Sequence, residues 1–162
     1  MKTNKGDSRW AIRPLVSEEV YTNREEHLEY LYNAAIKATT LRTMSTVLLG
    51  QRRMGKTEIF KRVVNKLFFG QDNYRDENAS VVPVYYSFKD TVADRWDFST
   101  KYVENFLRWY TAFRLRDPGI LFKQGVARDD LIKLIKNNLN ITEGLQGALN
   151  VYDGLLKKDV NA

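Results

Sequence analysis

The stretch Gly50-Gln51-Arg52-Arg53-Met54-Gly55-Lys56-Thr57 constrains this chain more than any other. It fits G-x-x-x-x-G-K-[ST], the loop that holds nucleotide phosphates, and it follows the short apolar run Val47-Leu48-Leu49. A nucleoside triphosphate presents several negative charges that a protein must hold without a covalent bond. Glycines at 50 and 55 let the backbone curl until successive N–H groups point at phosphate oxygens. A helix beginning near Lys56 aims its positive dipole end at the same place. Lys56 is expected to extend to the outer phosphates and the Thr57 hydroxyl to bind magnesium, so these two carry the catalytic share. ATP contacts are expected from Gly50, Gln51, Arg52, Arg53, Met54, Gly55, Lys56, Thr57 and Glu58. Arg52 and Arg53 have two readings: a reach to the γ-phosphate, to a neighbouring subunit or to an acidic residue that senses nucleotide state, and plain exposure at the loop tip.

The flanks supply the context such a loop demands. Thr22-Asn23-Arg24-Glu25 has the form of a helix-start capping box, and Leu28, Leu31, Tyr32, Ala35 and Ile36 follow at helical spacing. Residues 45–49 read as a buried strand. Ile59, Phe60, Val63, Val64, Leu67 and Phe68 form a helical stripe, and Gly70 stands where a helix end favours a left-handed residue. Residues 71–80 are a polar connection, and residues 81–86 read as a second strand with Pro83 at an edge position. This order predicts a βαβ-like unit, hence an α/β fold with a parallel sheet flanked by helices.

The second half reads as mainly helical. Tyr102, Val103, Phe106, Leu107, Tyr110 and Phe113 make a wide apolar face, stopped at Pro118-Gly119. Leu131, Ile132, Ile135 and Leu139 mark a further helix, and Leu145, Leu149, Tyr152 and Leu156 another, weakened by its glycines. Arg108, Arg114 and Arg116 interleave with the aromatics of the first of these, a pattern that can hold single-stranded nucleic acid. The aromatics follow the apolar face, however, and core packing or contact with a partner domain is the expected use. The organisation expected is an arm over residues 1–20 and an ATPase-domain portion over 21–162. Within it the nucleotide-binding core spans about 21–90 and the helical part about 95–160.

With the stretches TNREEHLEYL and LLGQRRMGKTEIFKRV on the page, the chain resembles the archaeal-type ATPase branch of the STAND and AAA-related P-loop proteins. In that family a helix opening on an Arg-Glu pair, here Arg24 and Glu25, precedes a loop of the form G-x-R-R-x-G-K-T. The resemblance covers roughly residues 20–90. It implies an ATPase that couples ATP binding and hydrolysis to conformational change, with ATP and magnesium as its ligands. It also implicates Val20, Tyr21 and Asn23 near the adenine, although Asn23 departs from the small residue usual there.

Hydrolysis in such proteins needs a second carboxylate at the end of another apolar strand. Asp90 is the nearest candidate, and Asp153 is expected on a helix. The expectation is that the strand carrying this carboxylate lies beyond Ala162, so that the chain is the N-terminal portion of an ATPase domain. Its partners are then the remainder of that domain or another protein, and the chain alone is expected to bind ATP more readily than to turn it over. Two other readings stand beside this one: a non-hydrolysing nucleotide-binding interaction module, and a basic nucleic-acid-binding domain.

Composition narrows the rest. The net charge of +6 favours anionic partners. With no cysteine there is no disulfide and no thiolate metal site, which fits a cytoplasmic address. No apolar run approaches the ~20 residues of a membrane span, so no membrane partner is expected. The single histidine, His27, reads as a surface residue of the first helix. Asn65-Lys66 lacks the aspartate a guanine-reading motif needs, Phe68 standing in its place.

Overall fold

The computed structural model describes residues 10–21, 24–41, 45–52, 54–88, 93–122 and 124–160. These contain five α-helices: α1 (Glu25–Ile36), α2 (Lys56–Phe69), α3 (Arg95–Leu115), α4 (Arg128–Asn138) and α5 (Glu143–Val160). Single 3-10 turns occupy Lys37–Thr40 and Pro118–Leu121. Among the described residues there is no β-strand, so the expected α/β fold with a parallel sheet is overturned in favour of a helical one. None of the described helices is long and apolar enough to cross a membrane. The chain divides into two compact units, residues 1–83 and residues 84–162.

The failure of the two strands has a physical reason. A strand is stabilised by the ladder it shares with a neighbour, and a short apolar run does not by itself say whether that neighbour exists. Residues 45–50 run without regular structure, and Val47 and Leu49 are 77% and 86% exposed instead of buried. At the second expected strand, the Gln71 carboxamide takes the place of a ladder. Its Oε1 accepts the Val81 N–H at 2.7 Å, and its Nε2 donates to Val81 O at 2.7 Å and to Leu67 O at 2.7 Å.

The first unit is organised by α2. Ile59, Val63 and Leu67 are buried on one stripe, and Leu28, Leu31, Tyr32, Ala35 and Ile36 of α1 pack against them. The stripe at positions 59, 63 and 67 is the one the helical spacing predicts. Gly70 closes α2, but at φ −88° it is right-handed, not left-handed as expected. Closeness explains the glycine better, since a Cβ there would stand 2.6 Å from Lys66 O. Helix α1 begins at Glu25 with Arg24 as its N-cap residue and no side-chain cap; Thr22 and Asn23, the start of the expected capping box, lie outside the described residues.

In the second unit α3 is the central helix, and α4, α5 and the Pro118–Leu121 turn pack on it. Asp94 caps its start, its carboxylate accepting the Trp96 and Asp97 N–H groups. Leu107, Phe113, Leu131, Ile135, Leu149 and Tyr152 are buried. Trp109, Arg108 and Arg114 are buried too, so part of the aromatic and basic face of α3 is turned inward, while Tyr102 stays exposed. A buried charge network runs through this core. Glu104 accepts from Arg108 Nε at 3.0 Å and from Arg128 Nε at 2.9 Å, and Arg108 Nη1 donates to Ile120 O and Val126 O.

Candidate functional site

The glycine-rich loop reaches α2 through Gly55, which is left-handed at φ 76°. Most L-residues avoid that region, so a side chain here would strain the turn that starts the helix. The first bond of α2 runs from the Ile59 N–H to Gly55 O at 3.1 Å. The N–H groups of Lys56, Thr57 and Glu58 precede it and have no acceptor within the helix, and no side chain caps Gly55. They form a positive helix end facing the loop.

Lys56 turns back over that loop. Its Nζ donates to Gly50 O and to Gln51 O, each at 2.5 Å. The ammonium therefore neutralises two carbonyl dipoles of the same turn that is expected to receive phosphate. Gln51, Arg52, Met54 and Thr57 are exposed. Arg53 lies outside the described residues, as does Asp90. Glu58 is buried, and its carboxylate faces away from the loop: it accepts the Leu15 N–H at 2.6 Å and the Arg62 Nε–H at 2.7 Å.

Beside the loop an open cavity of about 340 Å³ is lined by Arg24, His27, Leu48, Leu49, Gly50, Met54, Lys56 and Ile59. Two cationic side chains, an imidazole and an apolar wall thus share one opening. Arg24 lies against the helix start, with its Nη1 placed 3.7 Å from where a Gly55 Cβ would be. His27 is exposed, as its helix position predicts, and it lines the opening together with Arg24, which the loop pattern does not single out. Their spacing held the signal, because residues three apart at a helix start share a face. Of the residues implicated near the adenine, Val20 is exposed, and the Tyr21 ring lies under the Arg62 guanidinium at 4.0 Å. Burial raises the Tyr21 hydroxyl above its ordinary value, against the pull of Arg62 and Arg24. Asn23 lies outside the described residues. In the second unit, Asp153 sits on α5 and pairs with Lys157 at 2.6 Å.

No protein-family model, no curated protein and no solved structure matches the chain.

Proposed function

We propose that this chain binds ATP with magnesium at Gly50 to Thr57, as a cytoplasmic nucleotide-binding domain of the P-loop ATPase kind, and that binding is coupled to a change of conformation. One observation carries the reading. A left-handed glycine brings an uncapped helix end and the Lys56 ammonium together on a single loop of the phosphate-binding sequence pattern. Backbone N–H groups, a helix dipole and a point cation are the three devices by which a protein holds a polyphosphate without base chemistry.

Lys56 exchanges its bonds to Gly50 O and Gln51 O for phosphate oxygens when the ligand enters. Thr57, exposed at the start of α2, would hold magnesium through its hydroxyl, and the ion would supply neutralising charge to the phosphates. Arg24 and His27 add positive or hydrogen-bonding groups around the same opening. Binding, rather than turnover, is what the loop's own residues supply.

The test is calorimetric titration of the chain with ATP and magnesium, beside the Lys56→Ala variant. Wild-type binding that vanishes in the variant is expected. Undiminished binding by Lys56→Ala would place the ligand elsewhere and sink the reading.

A further inference from the structure

Glu58 is the third residue of α2, the position from which a carboxylate ordinarily reaches back to the N-cap N–H of its own helix. In that posture its charge would lie against the helix end that phosphate requires, and the two anions would compete. Glu58 does not adopt it. The carboxylate is drawn sideways to Leu15 and Arg62, and the residue is only 4% exposed.

Two partners draw it away, Arg62 on its own helix and the N-terminal segment, which is fastened along one face of α2. Arg62 donates through Nη2 to Val16 O at 2.9 Å, and Lys61 Nζ donates to Arg13 O at 3.3 Å. Farther along the helix, Asn65 Oδ1 accepts the Ala11 N–H at 2.8 Å and the Ile12 N–H at 3.1 Å, while its Nδ2 donates to Ile12 O at 2.6 Å. Positions 58, 61, 62 and 65 fall on one side of a helix, so the segment is read by its backbone along nearly two turns.

We infer that residues 11–16 act as a positioning strap for the phosphate loop: by giving Glu58 the Leu15 N–H, they hold its carboxylate off the start of α2 and leave that end open to an anion. The inference rests on the phosphate reading of the loop. When the strap is released, Glu58 Oε2 loses the Leu15 N–H and the carboxylate is held by Arg62 alone. The N–H groups at the helix start are the nearest substitutes, and occupying them closes the loop to polyphosphate. A partner that pulls on the N-terminal segment thereby weakens binding without touching the loop.

The experiment uses the full chain and Asn65→Ala, which removes three strap bonds at a distance from residues 50–57 along α2. Titrations with magnesium-ATP and with inorganic tripolyphosphate read affinity, and amide exchange at Ala11, Ile12 and Leu15 reads the strap. Faster exchange with roughly three- to tenfold weaker binding of both ligands is expected, the size of a charge at a helix end. Adding Glu58→Gln to Asn65→Ala should restore most of the loss. Leu15→Pro, which removes the donor N–H and leaves the Asn65 bonds in place, should weaken binding in the same way and serves if Asn65→Ala does not fold. Faster exchange with unchanged affinity overturns the strap and leaves the loop reading intact. Weak binding that Glu58→Gln does not restore also overturns it, since the strap then acts by some route other than Glu58. A wild-type chain that binds neither ligand overturns the loop reading, and the strap with it.

Discussion

Each unit buries a glutamate on its organising helix, and the two are satisfied by different means. Glu58 on α2 takes one backbone N–H from a segment without regular structure and one arginine four residues on. Glu104 on α3 takes two arginines, one from its own helix and one from α4. The contrast extends to everything around them. In residues 1–83 segments without regular structure are held to α2 and its end by the side chains of Glu58, Arg62, Asn65 and Gln71, while α1 covers the buried stripe Ile59, Val63 and Leu67. In residues 84–162 helices bury large side chains against one another, with the charge network inside. A hydrogen bond to a side chain contributes about 1 kcal/mol and can be exchanged for another. Interlocked helices give way only together. The unit that carries the glycine-rich loop is thus the one held by the more exchangeable contacts.

The largest effect expected is in the second unit. Glu104→Ala leaves Arg108 buried opposite no carboxylate, and breaking a buried pair in this way costs about 3–5 kcal/mol. Urea denaturation should show that loss, with exchange protection falling in α3 and α4. A cost below about 1 kcal/mol would mean that the network is as replaceable as the hydrogen bonds of the first unit, and the contrast would fail.

Next comes the response of the first unit to ligand. A ligand that binds only the folded state stabilises it by about 2.7 kcal/mol at a hundredfold excess over Kd. Magnesium-ATP should therefore raise the melting temperature and slow amide exchange at the start of α2, and Lys56→Ala should lose both effects. Free adenosine should do far less. Equal stabilisation by adenosine would put recognition on the base and the cavity, not on the loop.

What the sequence shows and hides follows the same division. The helices were legible because burial repeats along them: 59, 63 and 67 in α2, 131 and 135 in α4, and 145, 149 and 152 in α5 all fall on buried stripes. At the loop, the glycine at 55 marks the left-handed turn from which α2 starts. The strands were misread because Val47-Leu48-Leu49 and Val81-Val82 have the apolar content of a buried strand, whereas a ladder depends on a distant neighbour that no local pattern encodes. The strap was hidden for a related reason. Asn65 and Gln71 look like ordinary polar positions on and after a helix, and only the fold reveals that they bond backbone far away in the chain. Asn65, the first residue of the Asn65-Lys66 pair, fastens the N-terminal segment, while Lys66 lies over the Tyr32 ring of α1.

A smaller effect distinguishes the units at high pH. Burial, and then the negative charge of Glu104, push the Tyr152 hydroxyl far above its ordinary value of 10.0. Tyr21 in the first unit is also raised, chiefly by burial, but with Arg62 and Arg24 drawing it back. The neutral phenol is the form the second unit holds, so the unfolded state ionises first. Stability is complete below pH 10 and declines as pH rises toward the folded value, at up to about 1.4 kcal/mol per pH unit for one proton. Tyr152→Phe should flatten the alkaline arm of a stability–pH curve. An unchanged slope would mean that another group drives alkaline unfolding.

The smallest effect expected is the one that bears most directly on the missing strand. If residues 45–49 were a buried strand, Val47 would pack against neighbours on a sheet, and trimming it to a polar residue would cost what burying a valine contributes, about 1.5–3 kcal/mol. With the side chain 77% exposed and no ladder along the segment, there is little apolar contact to lose. Exposed substitutions of this kind stay within about 0.5 kcal/mol. Val47 is also not among the residues lining the cavity beside the loop, so the change should leave ligand contacts in place. Val47→Ser is therefore expected to leave both the urea midpoint and the affinity for magnesium-ATP nearly unchanged. A loss above 1.5 kcal/mol would show that in solution this segment is covered by an apolar neighbour, and the division between an adaptable first unit and an interlocked second one would no longer hold at this point.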